Sequence, residues 1–219
     1  CYVISYEMSV TFVEVGDFAI DFTTEPVTYD GQPHGVLVTK TDTSKHYTIT
    51  YGTTENDCTL TSSPEHTNAG AYTIYFKVVD NDTLADYVGS VTLTIKKKAV
   101  EIKVDDVTIT YGETPAFSYT VTGLVEGETL LGEAVYTVKT PSGEEINIGA
   151  GTDAGVYDIS VSGLSASKNY NVLPFVHGKL TINKKEAKVD WTIAGNYVYS
   201  PAGQTLPTAT YDGKTASLI

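Results

Sequence analysis

Hydrophobic and polar residues alternate with a period of two along several short runs of the chain. The runs Ala71–Val78, Ser90–Ile95, Val100–Val104 and Tyr157–Val161 each place their apolar residues on one face of an extended segment. Such runs, broken at short intervals by Gly, Pro, Asn and Asp, predict antiparallel strands with one buried face. About seven strands are expected per structural unit, which favours a β-sandwich. The best helical candidate is a short turn near Glu126–Leu131.

The chain also repeats itself. Residues 67–74 read Thr-Asn-Ala-Gly-Ala-Tyr-Thr-Ile, and residues 152–159 read Thr-Asp-Ala-Gly-Val-Tyr-Asp-Ile. The segments 27–33 and 109–115 match in outline, and a third copy of this start begins at Tyr197. Self-similarity at a fixed period is the signature of a tandem-repeat protein.

These matches predict two whole repeats between two partial ones. The first repeat spans residues 18–98 and the second spans residues 99–186. Residues 1–17 are expected to be the closing strands of a preceding repeat, and residues 187–219 the opening strands of a third. The predicted fold class is therefore all-β, with immunoglobulin-like sandwiches in tandem. Unpaired edges at the two partial repeats predict strand exchange between chains.

Six positions recur in the two whole repeats and are interpreted as structural. The Asp-Ala-Gly-Val-Tyr run resembles the tyrosine corner of immunoglobulin-like domains, so its tyrosine and the equivalent one in the first repeat are expected to be buried with hydroxyls bonded to nearby backbone. The two glycines before them are expected to allow a turn that a Cβ would obstruct. The six positions are Tyr29, Gly70, Tyr72, Tyr111, Gly155 and Tyr157.

The joints between repeats contain no flexible spacer. The last strand of the first repeat is expected over Thr92–Lys98, and the next strand begins at Ala99. The joint over Thr181–Ala187 has the same form. Because neither joint is rich in Gly, Ser or Pro, the repeats are expected to form a stiff, extended rod. The lysines at each joint are interpreted as solvated charges.

The second repeat resembles the MBG domain whose subtype is defined by a Tyr-Gly-x start, one of the immunoglobulin-like repeats of large bacterial surface proteins. The motifs that carry this resemblance follow one another in order along the repeat. They are Tyr111-Gly112-Glu113, Val121-Thr122-Gly123-Leu124, Asp153-Ala154-Gly155-Val156-Tyr157, Asn169-Tyr170-Asn171-Val172 and Leu180-Thr181-Ile182.

The first repeat resembles the sister repeat of that family, through Tyr29–His34, Asn68-Ala69-Gly70 and Leu93–Lys96. It departs from the family pattern at Leu84–Gly89 and at Cys58. The resemblance implies an extracellular, cell-surface array whose repeats act as stalks or adhesive modules. It supplies no catalytic residues.

Composition and charge exclude some functions. The formal net charge is −13 and there is no arginine, so a nucleic-acid backbone would be repelled and no bidentate phosphate contact is available. Cys1 and Cys58 make neither a disulfide framework nor a metal site. No apolar stretch is long enough to cross a bilayer, and no signal-peptide pattern opens the chain.

Candidate chemistry is sparse, and no cofactor is expected. The four histidines fall in no metal-binding or catalytic motif. A glycosidase pair of Glu113 with Glu133, Glu144 or Glu145 is disfavoured because the first repeat lacks equivalent acids. A calcium loop built from four neighbouring polar residues lacks the glycine and distal glutamate of an EF-hand. Those residues are Asp80, Asn81, Asp82 and Asp86.

Two functions remain open from the sequence. The first is a non-catalytic stalk or spacer whose partners are the neighbouring repeats. The alternative is a module that binds host or cell-wall glycans or mucin, which would need exposed aromatic rings beside polar groups. The candidate rings are Tyr47, Tyr51, Tyr136 and Tyr170.

Overall fold

A computed structural model describes residues 18, 20–22, 25–187, 189–192, 201, 208–211 and 214–215. Every regular element in these ranges is a β-strand, which confirms the predicted all-β class. The predicted closing strands at residues 1–17 and the start of the third copy at Tyr197 lie outside the described residues. Strand exchange between chains stays a prediction.

The first repeat is built from two sheets. One sheet has the strand order β1-β3, and the other has the order β2-β6-β5-β4. The ring of Phe22 on the first sheet lies 6.0 Å from the ring of Phe76 on the second, so the sheets pack against each other as a sandwich. The strands are β1 (Ile20–Phe22), β2 (Val27–Thr28), β3 (Val38–Lys40), β4 (Tyr47–Gly52), β5 (Gly70–Asp80) and β6 (Asp86–Lys96).

The second repeat has the same strand order with two additions. Its sheets have the orders β13-β7-β9 and β11-β10-β12-β14-β8, so β13 and β11 are the strands added to the plan of the first repeat. The strands are β7 (Lys98–Val104), β8 (Val107–Thr110), β9 (Tyr119–Thr122), β10 (Leu131–Lys139), β11 (Glu145–Ile146), β12 (Gly155–Ser165), β13 (Tyr170–Val172) and β14 (Gly178–Asn183).

After the second repeat the described residues form one three-stranded sheet of order β15-β16-β17. Its strands are β15 (Val189–Thr192), β16 (Thr208–Tyr211) and β17 (Lys214–Thr215).

The two repeats share one strand register. Gly70 lies opposite Ile95 in the β5–β6 pair, and Gly155 lies opposite Ile182 in the β12–β14 pair. In each repeat the second strand adds in parallel to the last strand, Val27 opposite Ile95 in one and Ile109 opposite Ile182 in the other. Equivalent residues therefore occupy equivalent places in both.

The core consists of the apolar faces that the sequence pattern predicts. Alternate residues of β5, β6, β7, β12 and β14 are buried, and the intervening residues are more exposed. A period of two places successive side chains on opposite faces of a strand, so one face packs inward. The largest fully buried side chains are Phe76, Ile74, Ile102, Ile159, Leu180, Val78, Val100 and Val104.

Two details differ from the sequence expectation. The described strands number six in the first repeat and eight in the second, rather than about seven in each. The segment predicted as a helical candidate is a tight turn, in which the Glu128 amide donates to the Val125 carbonyl over 3.0 Å. Gly127 has φ +84°, a left-handed conformation that closes the turn and does not continue as a helix.

The chain divides into two compact units. The first contains Cys1–Asp105, Ser118–Thr137 and Ser160–His177, and the second contains Asp106–Phe117, Val138–Ile159 and Gly178–Ile219. The first unit thus holds the joint between the two repeats. The predicted repeat boundaries stay predictions. Among the described residues, no helix has the length and apolar character needed to cross a membrane.

The register makes a direct prediction for strand β12. Ile159 is 0 % exposed, whereas Val156 on the same strand is 49 % exposed. The substitution Ile159→Ala should lower the free energy of unfolding by about 2–5 kcal/mol, because it removes buried methylene groups and leaves a cavity. The substitution Val156→Ala should cost less than about 1 kcal/mol. Urea unfolding midpoints measure both, and equal costs would contradict the assigned register.

Candidate functional site

The joint between the repeats contains a single residue between strands. β6 ends at Lys96 and β7 begins at Lys98. On one side, the Tyr29 amide donates to the Lys96 carbonyl over 2.9 Å, and on the other, the Lys98 amide donates to the Asn169 carbonyl over 3.0 Å. The backbone is thus held on both sides of Lys97, which leaves no room for a flexible spacer.

A shared carboxylate connects the two repeats at this joint. The hydroxyl of Tyr29, from the first repeat, donates to Oε1 of Glu128, and the hydroxyl of Tyr170 donates to Oε2 over 2.6 Å. Both tyrosines are 5 % exposed. Their rings meet edge to face, with centroids 5.4 Å apart and planes at 85°. One anion therefore accepts from two buried phenols that belong to successive repeats.

The turn that carries Glu128 is fastened to the same ring. The Val125 amide donates to the Tyr170 hydroxyl over 3.0 Å, so that this hydroxyl both donates and accepts. Val125 and Glu128 also close the turn through their own backbone hydrogen bond. The position of the carboxylate is therefore fixed by contacts within the second repeat alone.

An amide pair forms the second part of the joint. Asn169, only 6 % exposed, donates from Nδ2 to Asn68 Oδ1 over 3.0 Å and accepts from the Ala69 amide at its own Oδ1 over 2.9 Å. Its buried polar atoms are therefore paired, as burial requires. We call Tyr29, Asn68, Glu128, Asn169 and Tyr170 the joint cluster.

The charges of the joint cluster follow from its hydrogen bonds. The bond from Tyr170, followed by that from Tyr29, lowers the pKa of Glu128 below its usual 4.5. Burial and the bond to Glu128 raise the pKa of Tyr170 to about 12, and the bond to Glu128 and burial raise the pKa of Tyr29. At neutral pH the cluster is therefore one carboxylate between two neutral phenols.

The recurring tyrosines behave largely as the sequence predicts. The Tyr72 hydroxyl donates to the Asn68 carbonyl over 2.9 Å, and the Tyr157 hydroxyl donates to the Asp153 carbonyl over 2.8 Å. Tyr157 is buried, but the expectation that Tyr72 is buried too is wrong. Its ring is half-buried because it stacks on His66 near the surface, with centroids 3.8 Å apart.

The recurring glycines have a different role from the predicted turn. Gly70 and Gly155 are the first residues of strands β5 and β12. A Cβ on Gly70 would lie 3.1 Å from the Tyr72 ring, which is tight, whereas a Cβ on Gly155 would lie 3.6 Å from the Tyr157 ring, which is an ordinary contact. A Cβ at position 70 would therefore require the Tyr72 ring to shift by a few tenths of an ångström, whereas one at position 155 would not.

The candidate glycan-binding rings are not all available. Tyr51 is 5 % exposed and its hydroxyl accepts from the Val38 amide over 3.0 Å. Tyr170 is buried in the joint cluster. The expectation that these two rings are exposed for sugar binding is therefore wrong, because packing and hydrogen bonds occupy them. Tyr47 and Tyr136 are half-buried.

The residues considered for calcium are occupied by separate partners. The buried carboxylate of Asp80 accepts from the amides of Asp82 and Thr83 over 2.9 and 3.2 Å. Asp82 pairs with His46, Asn81 accepts from Thr48, and Asp86 pairs with Lys77. In the ranges that the structure covers, no three His, Cys, Asp or Glu side chains are grouped to hold a metal. These residues shape a loop.

Two of the groups considered for catalysis are occupied in turns. Of the carboxylates considered for a glycosidase pair, Glu113 accepts from the Thr110 amide over 2.7 Å and so closes a turn. His34 pairs with Asp30 in an exposed turn. An open apolar groove over Leu164, Ser165 and Val172–Phe175 contains no titratable side chain. The joint cluster is therefore the main polar constellation of the described residues.

Sequence reasoning missed the joint cluster as a unit. Tyr29 was recognised as recurring and Asn169-Tyr170 as part of a motif, but Glu128 was not singled out. Glu128 lies 99 residues from Tyr29 along the chain, and Asn169 lies 101 residues from Asn68. The available signal was the recurrence of Tyr29 as Tyr111 at the start of the two repeats, in a tandem array where one repeat must meet the next.

Comparison with protein families agrees with the reading of the second repeat. Residues 100–181 match the family model of the MBG domain (YGX type), which confirms the predicted resemblance there. No curated protein matches the chain. A solved structure of Drosophila N-cadherin EC1-3 covers 78 % of this chain and 80 % of its own, with 12 % identity and a TM-score of 0.26.

The lowered pKa of Glu128 predicts a pH dependence of stability. Because the folded pKa lies below 4.5, the stabilisation is present above about pH 4.5 and is lost as the pH falls through the folded pKa. The substitution Glu128→Gln should lower the free energy of unfolding by about 1.5–3 kcal/mol at pH 7, because it removes charged hydrogen bonds. The gap between the variant and the natural chain should shrink at pH 3.

The matched control is Glu126→Gln, an exposed carboxylate on the same turn. Urea unfolding of all three chains at pH 7 and pH 3 provides the measurement. An effect of Glu126→Gln as large as that of Glu128→Gln, or a gap that is the same at both pH values, would contradict the charged cluster.

Proposed function

We propose that the chain is a non-catalytic repeat region of an exported bacterial surface protein, in which rigidly joined repeats act as a stalk or spacer. The observation that carries this proposal is the joint cluster, where the Glu128 carboxylate accepts hydrogen bonds from buried tyrosines of two successive repeats. A stalk must keep its modules in fixed orientation, and such a contact provides this.

The physical argument rests on the cost of opening the joint. Neighbouring domains in one chain move relative to each other by default unless their interface is strong. Here, opening would separate a charged group from one of its two donors and would unpair the amide of Asn169 from Asn68. Each buried polar group left unsatisfied costs about 1–3 kcal/mol, and more if it is charged. Bending at the joint is therefore disfavoured.

The surface location is supported by the family and by charge. MBG domains are typical of extracellular or surface proteins, and residues 100–181 match that family. A net charge of −13 favours solubility and mutual repulsion of neighbouring stalks. The non-catalytic assignment is supported by the turns and loops in which Glu113, His34 and His46 are occupied.

Binding of host or cell-wall glycans stays a prediction. Two of its four candidate rings are buried, and no observation favours it over the spacer role. It would have to use Tyr47 or Tyr136, which are half-buried.

The spacer role predicts a narrow distribution of distances across the joint. Spin labels at Ser62→Cys and Ser165→Cys, both exposed and in the same compact unit as the joint, would report on the two repeats in the full chain after Cys1 and Cys58 are replaced by serine. Pulsed electron–electron double resonance should give one narrow peak in the distribution of distances between the two labels. The substitution Glu128→Ala should broaden it, because the carboxylate that fastens the repeats is removed.

In the control, Glu126→Ala on the same turn should leave the peak narrow. A broad distribution in the natural joint would overturn the spacer proposal. So would a peak that Glu128→Ala leaves unchanged, since the rigidity would then come from elsewhere. Circular dichroism of each labelled chain checks that the strands are retained.

A further inference from the structure

The second repeat presents the same surface that the first repeat uses at the joint. The Tyr29 amide donates to the Lys96 carbonyl over 2.9 Å, and the Tyr111 amide donates to the Asn183 carbonyl over 2.8 Å. Tyr111 is thus the equivalent of Tyr29. By the same register, Asp153 and Ala154 correspond to Asn68 and Ala69, and Lys184 and Lys185 correspond to Lys97 and Lys98.

These equivalent residues lie together in an open concavity. It is lined by Tyr111, Asp153, Ala154, Lys184 and Lys185, and we call it the second docking surface. Tyr29 is 5 % exposed because the next repeat covers it, whereas Tyr111 is 40 % exposed. Within the described ranges, the Tyr111 hydroxyl has no hydrogen-bond partner comparable to Glu128. The second docking surface therefore corresponds to the first in its residues, but it is open among the described residues.

The chemistry of the second docking surface suits a carboxylate and an amide. Tyr111 supplies the phenolic donor that Tyr29 gives to Glu128. Lys185 is the equivalent of Lys98, whose positive charge contributes to the lowered pKa of Glu128. Asp153 replaces Asn68, and its carboxylate can accept from an asparagine amide as Asn68 Oδ1 does, with the added strength of a charged acceptor.

We infer that the second docking surface binds a further repeat of the same kind, one that presents a turn carboxylate equivalent to Glu128 and an Asn-Tyr pair equivalent to Asn169-Tyr170. This inference rests on the proposed spacer function, since it names what fastens the second repeat to its neighbour. Each repeat then carries both halves of the joint, and the array can be extended by the same contact.

The test extends the full chain by one repeat. A second copy of residues 99–185 is inserted after Lys185, so that the new junction reads Lys185–Ala99 where the natural one reads Lys98–Ala99. The inserted copy carries Tyr111→Phe, which leaves one Tyr111 to observe. Nitration by tetranitromethane, mapped by mass spectrometry, should fall at Tyr111 from the level of an exposed ring towards that of Tyr29.

Two variants define the result. With Glu128→Ala in the inserted copy, Tyr111 should regain its nitration, and with Glu126→Ala it should stay protected. Equal nitration of Tyr111 in the extended chain and in the natural chain would overturn the inference. Protection that rises with concentration in the natural chain would also overturn it, because a second copy would then be the occupant.

A substitution at Asn68 in the natural joint tests, without the inserted copy, whether an aspartate can replace this asparagine as the hydrogen-bond acceptor. The substitution Asn68→Asp converts the first surface to the composition of the second, and it should leave Tyr29 protected from nitration. The substitution Asn68→Leu, of similar size but with no acceptor, should expose it. If Asn68→Asp exposes Tyr29 as strongly as Asn68→Leu, the second surface is not equivalent and the inference fails. A narrow spin-label distance across the natural joint would show that the spacer function survives that failure.

Discussion

A single carboxylate that accepts from two buried phenols is the constraint on which the joint between the repeats depends. Glu128 lies in a turn of the second repeat, Tyr170 belongs to the same repeat, and Tyr29 belongs to the first. A partly buried anion costs free energy unless it is fully hydrogen-bonded, and a buried phenol without a partner is also costly. The three groups therefore stabilise one another, and the joint is closed or lost as a unit.

The joint is possible because the two repeats share one strand register as well as recurring sequence motifs. Gly70 opposite Ile95 and Gly155 opposite Ile182 fix the phase of the two long strand pairs, and the parallel second strand then delivers Tyr29 and Tyr111 to the same place. Register is strongly specified where one face of a strand is buried, since a slip of one residue would turn the apolar face outward. A well-packed core thereby places the polar groups that join one repeat to the next.

The strands, the core and the absence of a spacer at the joint were predictable from the sequence, but the hydrogen bonds that close the joint were not. Alternation within Ala71–Val78 and Tyr157–Val161 identified buried faces because strand burial has a local period of two. Recurrence also identified the tyrosines whose hydroxyls bind nearby carbonyls. Glu128 sits in a turn that has no periodicity, and its partner Tyr29 is 99 residues away. Tyr170 is among the candidate rings for the alternative glycan-binding function because an aromatic ring near polar residues has the same local pattern whether it is exposed or buried.

The most direct test of this account is a double-mutant cycle between Glu128→Gln and Tyr29→Phe, measured by urea unfolding of the full chain at pH 7. Groups that interact across the joint should show a coupling free energy of about 0.5–3 kcal/mol, so that the double variant loses less stability than the sum of the two single variants. Additivity of the two losses would mean that Tyr29 and Glu128 do not stabilise each other, and it would contradict the claim that this carboxylate fastens successive repeats.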